Sequence, residues 1–185
     1  MKKRSLGALA LSLALLAAPA TFAQAKVEQE AASQSSAVKV QGPHAASCAP
    51  GATKPALLLT VTGFKDQVGQ VRVKAFRASE DEFLKSRKDL IRFDVPVPEQ
   101  GDLTVCLPLP GGHPAYAVTV LHDRDMDGKT DLWSDGFGVS NNPRLRLGKP
   151  SVRQVAFQAP AAVGVMEIVL NYVSGLSVRP IRGTE

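Results

Sequence analysis

The sequence predicts an all-β domain: an antiparallel β-sandwich of immunoglobulin-like or transthyretin-like shape, with one short helix and a long acidic loop. Three observations predict it. Short runs rich in Val, Leu, Ile, Phe and Tyr alternate apolar with polar residues, as at 69–77, 103–107 and 163–173. Clusters of Gly, Pro, Asn and Asp separate these runs at short intervals. A helix-start signal stands out at one place, Ser79. Period-two patterning between frequent turns describes strands that bury one face each, and two sheets of such strands bury those faces against one another. The count is about seven strands, and a small barrel is the alternative closure.

The chain of 185 residues is not all domain. Lys2-Lys3-Arg4, an apolar Leu/Ala run over 6–16, Pro19 and small residues around Ala23 and Ala25 read as a secretory signal peptide over 1–25. The run is too short, too Ala-rich and too close to Pro19 for a membrane anchor. The expected destination is the periplasm or the exterior, with no membrane span after cleavage. Cleavage removes three cations and no acid, which takes the formal net charge from +5 to +2. The basic balance is therefore largely a targeting feature. No Lys/Arg block with interleaved aromatics follows, so nucleic acid is not an expected partner, whereas an envelope protein or a glycan is. Roughly 160 residues remain, enough for one domain with its own core. In an oxidising compartment the two cysteines, Cys48 and Cys106, read as a disulfide. A thiolate metal or catalytic site is the less favoured alternative.

Residues 26–55 are rich in Ala, Ser, Gln, Gly and Pro and read as a flexible leader whose end Cys48 pins to the domain. The domain proper spans 56–173. Residues 57–62 are a short apolar run, consistent with a buried strand. After a turn at Lys65-Asp66-Gln67, residues 69–77 alternate, with Val71, Val73 and Ala75 on one face and Arg72, Lys74 and Arg77 mostly opposed. These two runs read as a hairpin, with Phe76 covering the outer face. Ser79-Glu80-Asp81-Glu82 has the form of a capping box and predicts a helix of two or three turns to about Lys88. Ile91, Phe93 and Val95 mark a strand stopped by Pro96 and Pro98. Leu103, Val105 and Leu107 mark another, with Cys106 on its opposite face. Residues 115–121 follow as a strand with Tyr116, Val118 and Val120 on one face and His122 in phase. Residues 123–150 read as a long irregular loop, 152–157 and 163–173 as strands, and 174–185 as a loose tail.

The chemically committed stretch is that loop. Asp123, Asp125, Asp127 and Asp131 occupy positions 1, 3, 5 and 9 of a Ca2+-binding loop, Gly128 sits at the sharp turn, and the Lys129 carbonyl falls at position 7. Where an EF-hand places a bidentate Glu this chain has Ser134, with Asp135 next to it as a substitute, and no flanking helices are predicted. The expected cofactor is therefore Ca2+ in a loop outside the EF-hand fold, held by Asp123, Asp125, Asp127, Lys129, Asp131 and Asp135. The plain alternative is a solvated Asp/Gly turn with no ion. Zn2+ is disfavoured because it prefers N and S ligands. His122 reads as a strand-end residue bonded to a loop carbonyl or carboxylate. His44 and His113 form no cluster with it, and Ser134 and Ser140 lack triad spacing. Trp133 and Phe137 either pack the loop onto the sandwich or form a platform for a sugar or peptide. Gly136-Phe137-Gly138 reads as a flexible turn, and Asn141-Asn142-Pro143 as a source of hydrogen bonds that hold the loop.

The run from Tyr116 through His122-Asp-Arg-Asp-Met-Asp-Gly-Lys-Thr-Asp131, then Gly136-Phe-Gly-Val-Ser-Asn-Asn-Pro143 and Gly148-Lys-Pro150, resembles the bacterial domain-of-unknown-function family 2141. The Gly69-Gln-Val-Arg-Val73 strand and Phe83 also fit, and the likeness covers about 56–172. That family often carries Asn where this chain has Asp125 or Asp127, so the extra charge here favours a cation more. The resemblance implies an exported protein and no established activity. The expected function is a non-catalytic binding or envelope-structural module with a Ca2+-ordered loop. A carbohydrate- or peptide-binding module using Trp133 and Phe137, and a metal-dependent hydrolase using His122 and the acids, are the alternatives.

Overall fold

The computed structural model describes residues 38–181. The signal peptide read over 1–25 and the first part of the leader lie outside them. Ten strands form two sheets: β1 (Val40–Gln41), β2 (Ala56–Thr62), β3 (Gln70–Arg77), β4 (Asp89–Pro96), β5 (Leu103–Pro108), β6 (Tyr116–Asp123), β7 (Gly136–Val139), β8 (Val163–Val169), β9 (Asn171–Ser174) and β10 (Ser177–Pro180). The four-stranded sheet has the order β1-β5-β2-β8 and the six-stranded sheet the order β10-β9-β7-β6-β3-β4. Alternation places Leu57, Leu59 and Val61, Leu103, Val105 and Leu107, Val71 and Val73, and Val118 and Val120 in one shared core. The all-β sandwich is what the period-two pattern predicts.

The neighbours differ from expectation. β2 and β3 are not a hairpin but lie in different sheets. β2 pairs antiparallel with β5 and parallel with β8, and β1 pairs parallel with β5, so the four-stranded sheet is mixed. Alternation assigns a face to each residue and says nothing of which strand lies beside it. The run 163–173 is likewise two strands. Leu170 N donates to Thr62 O at 2.9 Å and marks where the chain leaves the first sheet for the second.

The helix also moves. Residues 79–88 make two successive turns and no helix: Phe83 N donates to Ser79 O at 2.9 Å, and Lys88 N to Lys85 O at 3.3 Å. Leu84 and Arg87 then adopt φ of 58° and 59°, which no right-handed helix allows. Phe83 is fully buried and meets Phe76 edge-on, with ring centroids 5.8 Å apart. Burial of that one ring outweighs continuation of the helix. The short helix is instead α1 (Val152–Val155), inside a run read as a strand. Gln154 Oε1 accepts from Ser151 N at 3.3 Å and Ser151 Oγ at 3.2 Å, while Val152 and Val155, one turn apart, bury themselves beside Phe76 and Phe83.

In the segment read as a leader, β1 pairs with β5, and a 3-10 turn at Ala45–Cys48 follows, tied to β5 by the Cys48–Cys106 disulfide with Cα atoms 5.7 Å apart. Cys106 sits on the outer face of β5, opposite Leu103, Val105 and Leu107, which is where the alternation places it. In the segment read as a tail, β10 pairs with β9. Among the described residues no helix is long and apolar enough to cross a membrane.

Candidate functional site

The acidic loop is the connection of a β-hairpin. β6 and β7 are antiparallel neighbours with His122 opposite Gly136, so Asp123 and Asp135, one step beyond that pair on each strand, flank the neck. Gly136 is required there, because a Cβ would lie 2.6 Å from the Tyr172 ring. Gly69, in the connection before β3, likewise leaves no room for a side chain, since the Asp123 carbonyl and Arg124 backbone press against it.

Three of the expected ligands converge. Asp123, Asp125 and Asp135 each offer a carboxylate oxygen, and these oxygens lie within 4.8 Å of one another. Asp123 is fully buried. Its Oδ2 accepts from Gln70 Nε2 at 3.0 Å and Gly128 N at 3.1 Å, with Arg72 Nη2 at 4.0 Å. Its Oδ1 is buried and has no hydrogen-bond partner. Burial pushes this carboxyl up, but the Gln70 and Gly128 hydrogen bonds and the Arg72 charge prevail and hold it below the ordinary carboxylate range. Asp135, also buried, accepts from Arg124 N at 3.3 Å and Ser134 Oγ at 3.3 Å on Oδ1, and from Asp131 N at 2.8 Å on Oδ2. The residue read as a substitute at the loop's end therefore stands at its centre.

Asp127 and Asp131 do not join that trio. Asp127 Oδ1 accepts from Lys129 N at 2.7 Å, and Asp131 Oδ1 accepts from Trp133 N at 2.8 Å. Each closes an Asx turn on the amide two residues along, as Asp125 does on Asp127 N at 3.2 Å. The Lys129 side chain is exposed, 3.8 Å from Asp127. Nor is the loop structureless to residue 150. The supposed flexible turn at 136–138 is strand β7, whose end is tied down by Asn142. Asn142 Nδ2 donates to Glu167 O at 2.8 Å, and its Oδ1 accepts from Val169 N at 2.9 Å.

Residues from the scaffold brace the loop, and spacing did not reveal them. Arg124 pairs with Asp66 and donates from Nη1 to Ser134 O at 3.0 Å. The Arg124 hydrogen bond lowers the Asp66 carboxyl, and Asp66 in turn raises Arg124. Arg72, buried on β3, donates to Asp94 Oδ1 at 2.7 Å and to the Gly128 carbonyl at 2.7 Å. The alternation around Arg72 marks it as outward-facing, which is the one signal the sequence carried.

His122 is fully buried. Its Nε2 lies 2.7 Å from Val68 O, which fixes the proton on Nε2, and its Nδ1 then accepts from the Tyr172 hydroxyl at 2.7 Å. Burial pushes its pKa down. With both nitrogens taken it bonds to a loop carbonyl, as its phase on β6 implies. Trp133 is 67% exposed and does not pack the loop down, whereas Phe137 is half-buried on the outer face of β7. Chemically, three carboxylates form a hard, all-oxygen donor set of the kind Ca2+ takes.

The family model for an uncharacterised protein conserved in bacteria matches residues 59–165, which include the whole hairpin and its loop. No curated protein and no solved structure is significantly similar to this chain.

Proposed function

The chain belongs to that bacterial family, DUF2141, and from this premise we propose that it is an exported, non-catalytic β-sandwich module with a binding or envelope-structural role, whose 124–135 loop is ordered by Ca2+. The observation that carries the reading is Asp123 Oδ1, a buried carboxylate oxygen without a hydrogen bond, in a group with Asp125 and Asp135. Leaving such an oxygen unpaired costs about 1–3 kcal/mol, more for a charged group, and like charges so close repel. A divalent cation among the three offsets both terms. Asp123, Asp125 and Asp135 are the residues that would hold it. The basic, apolar start of the chain and the disulfide support export to an oxidising compartment.

The test is a thermal melt of the purified protein in chelator and in Ca2+, with limited proteolysis of the loop. At about 100 times Kd, Ca2+ adds roughly 2.7 kcal/mol of stability, and it should protect the bonds around Met126 and Lys129. Asp123→Asn and the milder, surface-exposed Asp125→Asn should each remove the response. If neither melting temperature nor cleavage responds to Ca2+ or chelator, the metal reading fails.

The exposure of Trp133 favours a second reading, recognition of a glycan or peptide by the loop tip. Trp133 is the only Trp, so its fluorescence reports such binding directly. Unchanged emission across a panel of envelope glycans and peptides would remove that reading. For the metal-dependent hydrolase, occupation of both His122 nitrogens leaves it unavailable as ligand or base.

A further inference from the structure

The outer face of the six-stranded sheet carries a groove beside the acidic loop. Its cavity is about 320 Å3, within the range of small-molecule sites. Strand register builds its floor. Arg72 on β3 pairs with Leu121 on β6, which pairs with Phe137 on β7, while Lys74 pairs with Thr119 and Thr119 with Val139. These positions share the outward face, so an apolar strip of Leu121, Phe137 and Val139 runs beside the cations of β3. Arg92 of β4, opposite Lys74, extends the basic edge. The far wall is the segment 145–150, which brings Arg146 and Lys149 to the groove lining and leaves Leu147 48% exposed, while Lys149 Nζ stands over the Phe83 ring, 5.3 Å from its centroid.

The charge is one-sided. Five basic side chains line the groove and no acidic one does. Arg72 is committed to Asp94 and the Gly128 carbonyl. Lys74, Arg92, Arg146 and Lys149 have no ion-pair partner among the described residues. Burial pushes the Lys74 pKa down, with Asp89 and Asp94 opposing, so Lys74 is a partly desolvated cation facing an apolar floor. An apolar floor beneath unneutralised cations is complementary to a molecule that is apolar along its length and anionic at one end.

We propose that this groove is a binding site for a free single-chain amphiphile with an anionic headgroup, its tail on Leu121, Phe137 and Val139 and its carboxylate or other anion between Lys74 and Arg92. At about 30 Å3 per water-sized group the cavity takes a tail of roughly ten heavy atoms, so decanoate is a suitable probe. The inference does not rest on Ca2+ in the loop, because Lys74, Arg92 and the floor come from β3, β4, β6 and β7, while Gly128, Thr130 and Leu132 of the loop only edge the groove.

Calorimetric titration of the purified protein with decanoate, below its micelle concentration, tests it. Saturable one-to-one binding is expected, with decyltrimethylammonium, of equal tail and opposite charge, at least about tenfold weaker. The double substitution K74M/R92M, at positions outside the core, should weaken decanoate about tenfold or more while leaving the melting temperature unchanged. Thr119→Phe, which fills the floor, should abolish binding by a route that does not touch charge. Absence of saturable decanoate binding overturns the proposal. So does equal affinity for the cationic probe, or undiminished affinity in both variants. Binding of phosphatidylglycerol vesicles without binding of monomeric decanoate also overturns it, in favour of a membrane surface.

Discussion

The acidic loop and the basic groove are neighbours with opposite logic. In the loop, carboxylates turn inward: Asp123 and Asp135 are buried, and backbone amides and Arg124 surround them. In the groove, Lys74, Arg92, Arg146 and Lys149 line the edge of an apolar floor with no ion-pair partner among the described residues. Arg72 stands between the two, bonded to Asp94 and to the Gly128 carbonyl and 4.0 Å from Asp123. A modest net charge of +5 over the whole chain thus conceals two strong local fields of opposite sign. Net charge is a sum over the surface, while binding responds to the potential at one place.

Three perturbations test that contrast. The largest effect is expected from a change remote from both regions. Replacing Cys48 and Cys106 by Ser opens a loop of 58 residues and should lower stability by about 4 kcal/mol in the chain-entropy account. The disulfide lies in the other sheet, so urea unfolding should shift while the Ca2+ and decanoate responses persist in the folded protein. Next comes the shared residue. Arg72→Met leaves Asp123 buried beside no cation and frees the Gly128 carbonyl, which should cost about 3 kcal/mol and speed cleavage at the loop tip. A loss below about 1 kcal/mol by urea unfolding would show the loop to be braced by other residues. The smallest effect concerns coupling. Gly128, Thr130 and Leu132 line one side of the groove, so chelation should weaken decanoate by about fivefold, the low end of measured site-to-site coupling. K74M/R92M should leave the Ca2+-induced rise in melting temperature intact. Equal decanoate affinity with and without Ca2+ would separate the two regions energetically.

The contrast also shows how far the sequence could be read. Tyr116, Val118, Val120 and His122 share an inward face because strand alternation is local, and it survives any choice of neighbour. The disulfide was legible from the even cysteine count and from the export that the start of the chain leads one to expect. The hairpin of β2 and β3 was misread because a short connection between two strands does not reveal whether it stays in one sheet or crosses between two. The helix at Ser79 was misread for another reason. The capping pattern is there and forms one turn, but Phe83 gains more by packing on Phe76 than by continuing the helix. At Ser151 the same grammar, with Gln in place of Glu, succeeds because Val152 and Val155 have a surface to bury against.

Which residues face inward, where the acids concentrate and the presence of a cation-binding spacing follow from separations of a few residues along one chain segment. The three-dimensional fold brings Asp135, rather than Asp127 or Asp131, to Asp123 and Asp125, because that grouping depends on the β6–β7 register across the hairpin neck. It likewise assembled the groove, whose basic edge comes from β3 and β4 and whose floor comes from β6 and β7. Neighbours across a sheet are chosen by the burial of the whole core, and no window of the sequence contains that sum.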